Sequence, residues 1–201
     1  MNTRNTPLWI QALPVFLIVL FFLAQVFLNL DRLQSGDSPG ALIVNVVLLS
    51  IPLGLLCFSI WLLAAAREQI SRTGSLEARL ALRVYFVPRL AGILIAVFAS
   101  SFAWNVLRMQ AGFWQVLSEF FLSLLPALVI GVVVGLAWRW EWVGALGFGL
   151  MALYFLASFL DGLAQGLAVL LTFAAPLAAV AALFWLNWQR RRALPPAPRS
   201  S

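Results

Sequence analysis

LAWRWEWVGAL, Leu136 to Leu146, places three tryptophans, an arginine and a glutamate side by side between two long apolar runs. It reads either as a reactive or binding site, or as the turn of a hairpin, and its flanks decide between the two. With 63% hydrophobic and 10% charged residues and a mean hydropathy of +0.99, the chain lies far outside soluble globular usage. It reads as an integral membrane protein. About 20 apolar residues cross some 30 Å of hydrocarbon as a helix. On that measure six segments are long enough: Leu8 to Leu30, Ala41 to Ala66, Val84 to Leu107, Val116 to Trp138, Val143 to Leu160 and Leu163 to Leu186. The fold class is therefore all-α, a polytopic transmembrane bundle of six helices. The first segment has too long an apolar core for a cleaved signal peptide, so it is expected to stay as an anchor.

Arginine placement orients the bundle, because basic flanks stay cytoplasmic during insertion. With the N-terminus inside, Arg4, Arg67, Arg72, Arg79, Arg83, Arg89, Arg139, Arg190, Arg191, Arg192 and Arg199 fall on the inner side, and only Arg32 and Arg108 on the outer. Both termini then face the cytoplasm, and the localisation expected is the cell's inner membrane. Tryptophans prefer the lipid–water boundary. Trp9, Trp61, Trp138, Trp140, Trp142, Trp185 and Trp188 mark the inner boundary on this scheme, and Trp104 and Trp114 the outer.

Four parts follow: a two-helix hairpin over 1–66, a basic loop or interfacial helix over 67–83, a four-helix domain over 84–189, and a basic, Pro-rich cytoplasmic tail over 190–201. In the loop, Ser75 is a plausible N-cap for a short helix that carries Leu76 and Leu80 on one face. Its other face would bring Arg79 and Arg83 to anionic headgroups. Within the spans, Pro52, Pro126 and Pro176 are interior and Pro14 and Pro88 lie near segment starts. Gly131, Gly135, Gly144, Gly147 and Gly149 give the fourth and fifth segments small faces that predict a tight hairpin.

Chemistry is sparse. The chain has no His, no glycine-rich phosphate loop and no HExxH pair; its basic residues sit at span ends rather than on a solvated nucleic-acid face. No catalytic, cofactor or metal site is expected. The single Cys57 lies in an apolar run and reads as a small buried residue. The polar candidates sit near the outer ends of the third and fourth segments. Ser101, Asn105 and Arg108 share one helical face, and Gln115, Glu119 and Ser123 share another. An antiparallel hairpin sets Arg108 level with Glu119, either as a closing salt bridge or as part of a ligand or ion site. Asp161 reads as a cap of the sixth helix, and Gln25 and Asn45 as interhelical hydrogen-bonding groups.

The stretch VPRLAGILIAVFASSFAWNVL, then AGFWQ, LLPALVI, LAWRWEWVGALGFGLMALYFLA and APLAAVAALFWLNW, resembles a family of small, uncharacterised prokaryotic four-helix membrane proteins. Arg89, Phe113-Trp114, Pro126, Trp138 to Gly149 and Leu186-Asn187-Trp188 carry the resemblance, over roughly Val84 to Arg192. The resemblance implies a domain of unknown function, to which the first two helices are an addition. It also implies more ionisable groups at the positions of Asn105, Gln115 and Ser123 than this chain has. A non-enzymatic scaffold, accessory or partner-binding membrane subunit is the leading functional reading, in contact with the bilayer and with another membrane protein or further copies of itself. A small transporter or channel component is the alternative, and an intramembrane enzyme comes last. LAWRWEWVGAL itself leaves too little backbone for a pocket. It reads as an interfacial clasp, with Trp138 and Trp142 on one face, Trp140 on another, and Arg139 and Glu141 at the wet edge.

Overall fold

The computed structural model describes residues 8–30, 38–106, 112–157 and 163–193. Every regular element in it is helical. The helices are α1 (Leu8–Leu28), α2 (Pro39–Thr73), α3 (Ala78–Ser100), the short α4 (Ala103–Val106), α5 (Phe113–Arg139), α6 (Glu141–Ala157), α7 (Leu163–Val169) and α8 (Ala175–Ala193), with a π-helical turn, Leu170–Ala174, joining the last two. Helix is the form in which an apolar segment satisfies its own backbone where no water is at hand. Among the described residues four helices are long and apolar enough to cross a membrane: Leu42–Thr73, Ala78–Ser100, Phe113–Arg139 and Gly166–Arg192. Ala12–Leu28 and Glu141–Ala157 are apolar but shorter. Large apolar side chains lie bare along α1 and α5, among them Phe16, Phe22, Leu122 and Val132. In water such surface would drive association; against lipid tails it is the natural exterior.

The main core belongs to α3, α5, α6 and α8, where Ala91, Ile95, Ile130, Val134, Phe148, Leu177, Val180 and Phe184 interlock. Phe148 stacks on Phe184 with ring centroids 5.8 Å apart. A second cluster of Leu62, Ala66, Val84 and Leu183 fastens the end of α2 to α3 and α8. α1 packs on α2. Polar groups bridge that pair, as the sequence suggests for Gln25 and Asn45. Gln25 donates to Ser50 Oγ at 3.0 Å, Asn45 donates to Asn29 Oδ1 at 2.8 Å, and Asn29 donates back to the Gln25 carbonyl.

The joint between α2 and α3 differs from the expected interfacial helix. α2 runs unbroken to Thr73 and α3 begins at Ala78 with Glu77 as its N-cap, so that only Gly74 to Glu77 connect them. Gly74 takes a φ of 68° and its N–H donates to the Ile70 carbonyl at 2.8 Å, a left-handed C-terminal stop that favours glycine. Leu76 and Leu80 turn into the second core cluster instead of onto lipid, and this draws α3 back to Ala78. Pro88 is consequently in mid-helix, not near a start.

α5 and α6 do form a hairpin, with a single residue between them. Trp140 is extended (φ −126°, ψ 94°), and its N–H still donates to the Leu136 carbonyl at 2.9 Å. Close approach falls at Gly144 and Gly147, where an added Cβ would sit 2.8 Å from Ala137 Cβ and 2.6 Å from Val133 Cγ1. Gly131, Gly135 and Gly149 meet nothing within 4 Å, so they do not make the interface expected of them. Gly92 on α3 makes a contact the sequence did not suggest, its absent Cβ lying 2.5 Å from Val134 Cγ2. The π turn lies just ahead of Pro176. In a regular α-helix the proline ring would strike the carbonyl four residues back, and widening the turn avoids that clash.

Candidate functional site: a buried charge cluster at one end of the bundle

The end of α2, the first half of α3, the start of α6 and the end of α8 meet at one pole of the molecule. Here α3 carries Arg89, which has 1% of its surface exposed. A charge so deep among apolar helices requires a partner, since desolvation of a lone guanidinium is costly. The partner is Glu141, the first residue of α6 and the only buried acid among the described residues. Arg89 Nη2 lies 3.0 Å from Glu141 Oε1. Asn187 of α8 donates to the same oxygen at 2.5 Å, and Arg191 Nε approaches it to 3.1 Å from the half-exposed rim. Two helices thus converge on one carboxylate oxygen of a third.

The backbone supports this arrangement. Glu141 sits at the N-terminus of α6, where free N–H groups favour a negative charge, and Arg191 sits in the last turn of α8, where free carbonyls favour a positive one. Arg89 also donates to the Tyr85 carbonyl, and its guanidinium lies 3.7 Å from the Tyr85 ring centroid, a cation–π contact that offsets part of its desolvation. Two buried polar atoms in the cluster, Arg89 Nε and Glu141 Oε2, have no hydrogen-bond partner among the described residues. A carboxylate held on one oxygen and unengaged on the other can act as a fixed structural counter-ion, or take a proton or cation at Oε2.

This geometry corrects the placement of Glu141 at the wet edge of LAWRWEWVGAL. Trp138, Trp140 and Trp142 are all exposed, at 60%, 48% and 46%, while Glu141 is 4% exposed. The one-residue joint turns position 141 toward α3 and α8, where Arg89 requires it, and leaves the tryptophans and Arg139 facing out. Arg139 lies 5.8 Å from the Trp140 ring. The expected pairing of Arg108 with Glu119, at the opposite pole, falls outside the described residues. Ser101 closes the last turn of α3, its hydroxyl donating to the Phe98 carbonyl at 2.6 Å. Glu119 is exposed and Ser123 half-buried on α5. Asn105 is in α4. Arg108 and Asp161 lie outside the described residues.

Sequence reasoning used Arg89 in orienting the bundle and, with Asn187, as a mark of a family resemblance, but assigned neither to a site. One signal did point to the cluster: Arg89 lies five residues inside the predicted third span, and Glu68 and Glu141 each lie two residues from a span at the same end. An intramembrane charge and the nearest opposite charge at its depth form a pair worth testing.

Fold and site together describe a helical bundle, with four helices among the described residues long and apolar enough to cross a membrane, closed at one end by a buried ionic cluster. Residues 76–196 match DUF7670, a domain of unknown function, and the chain belongs to that family. The match encloses Arg89, Glu141, Asn187 and Arg191, as well as Val84 to Arg192, on which the sequence resemblance rests. No curated protein and no solved structure matches the chain.

Proposed function

We propose that this chain is a six-span membrane protein of the cell's inner membrane, with both termini cytoplasmic, that works as a non-enzymatic scaffold or partner-binding subunit. The observation that carries this reading is the Arg89–Glu141–Asn187 cluster: the one buried acid among the described residues is engaged in holding α3, α6 and α8 together. A buried ion pair of this kind specifies one arrangement of helices more than it adds stability. A rigid bundle with an extended lipid-facing surface suits a protein that positions others. Extraction of the native chain in native-lipid particles, followed by mass spectrometry, tests it. A reproducible protein partner in stoichiometric yield is expected. Repeated recovery of the chain alone, with proton or ion flux after its reconstitution into vesicles, would overturn it.

That second outcome belongs to the alternative, a small transporter or channel component, which one specific observation favours. Glu141 Oε2 is buried without a hydrogen-bond partner among the described residues, and half-satisfied intramembrane carboxylates are common in proton relays.

A further inference from the structure

A groove of about 1020 Å³ runs between the end of α2, the α2–α3 turn and the end of α8, on the same pole as the ionic cluster. Its apolar lining includes Leu63, Leu186 and the exposed Trp185, and its charged lining includes Arg67 and Arg190. Neither arginine has an ion-pair or hydrogen-bond partner among the described residues. Glu68 also lines the groove, but it is paired with Arg72 one turn on, so it does not cancel their charge.

The depth of the groove follows from helix length. The 35 residues of α2 extend about 52 Å at 1.5 Å per residue, against some 30 Å of hydrocarbon. The apolar run ends at Ala66 and the polar turns from Arg67 to Thr73 follow, so the excess is at this end and the groove opens at headgroup level. The ring pair Trp185–Trp188, 4.7 Å apart, and Arg192, 4.0 Å from the Trp188 ring, mark the same interfacial layer on α8.

We infer that this groove binds one anionic phospholipid, its phosphate between Arg67 and Arg190 and an acyl chain along Leu63, Leu186 and Trp185. An apolar lining together with two cationic groups fits an amphiphile with a negative head. A zwitterionic lipid offers the same phosphate but brings its ammonium close to the two arginines, and a basic peptide brings like charge to them. The inference is independent of the scaffold reading, since a transporter could hold such a lipid equally well.

Native mass spectrometry of the full-length chain, delipidated and then titrated with phosphatidylglycerol or phosphatidylethanolamine, tests it. One phosphatidylglycerol per chain should survive at activation energies that strip phosphatidylethanolamine. Each arginine near the surface is worth about five-fold in affinity, so Arg67→Gln with Arg190→Gln should weaken phosphatidylglycerol binding about thirty-fold. Arg67→Lys with Arg190→Lys should retain most of it. Arg67 is exposed and Arg190 half-buried, and unchanged melting of both variants would exclude a folding effect. Equal retention of the two lipids, equal binding by the glutamine variant, or a dimer without lipid in place of a lipid-bound monomer would each overturn the inference.

Discussion

A methyl group added at Gly144 would lie 2.8 Å from Ala137 Cβ and 2.9 Å from Phe184, and neither neighbour can retreat without moving its helix. Gly144→Ala should therefore destabilise by about 1–3 kcal/mol, the usual cost of overpacking. Gly131→Ala meets open space, and removing a flexible residue from a helix should leave stability unchanged or raise it by up to about 1 kcal/mol. Unfolding of the three proteins in detergent checks this, and equal losses from both variants would contradict it. Residue type alone predicted close packing for Gly131, Gly135, Gly144, Gly147 and Gly149 alike. Which side of a helix each glycine occupies depends on the neighbour's position, information absent from a stretch that is apolar all round.

At the scale of elements, the helices were legible because their backbones have no alternative in hydrocarbon, and the joints were not. Ser75 has the chemistry of an N-cap, yet α3 starts at Ala78, since burying Leu76, Leu80 and Val84 against α2 and α8 outweighs a local cap. Trp140 looked like part of a clasp and proves to be the whole joint, which is why Glu141 turns inward. The α1–α2 pair was readable through Gln25 and Asn45, whose polar groups need partners away from water. Asn45→Leu should weaken that pairing by about 0.6–1.7 kcal/mol, the range for interhelical hydrogen bonds in membranes. The expected readout is faster proteolytic release of α1 with the main unfolding transition unshifted, because α1 packs on α2 and the main core lies elsewhere. A shift of the main transition would show that the hairpin and the family domain fold as one unit.

For the whole molecule, the proposed topology places the α2–α3 turn inside and the start of α5 outside. Because Cys57 is the only cysteine, a Cys57→Ser background with Ser75→Cys or Gly112→Cys gives two clean reporters. Gly112→Cys should react with an impermeant maleimide in intact cells and Ser75→Cys only after permeabilisation; the reverse pattern would invert the topology. Hydropathy and arginine placement made the bundle legible in outline, but directed attention to the pole of Glu119 and away from that of Glu141. Pairing across three helices separated by 52 and 46 positions in sequence leaves little trace in local spacing. A thermodynamic cycle on Arg89→Met, Glu141→Leu and the double variant, read by unfolding of the full chain in lipid-like detergent, tests the cluster's role directly. Each single change should cost about 3–5 kcal/mol by stranding a buried charge or its donors, and the double variant should recover much of that loss. Single variants as stable as the native chain, or losses that simply add, would contradict the conclusion that Arg89 and Glu141 lock the bundle as a pair.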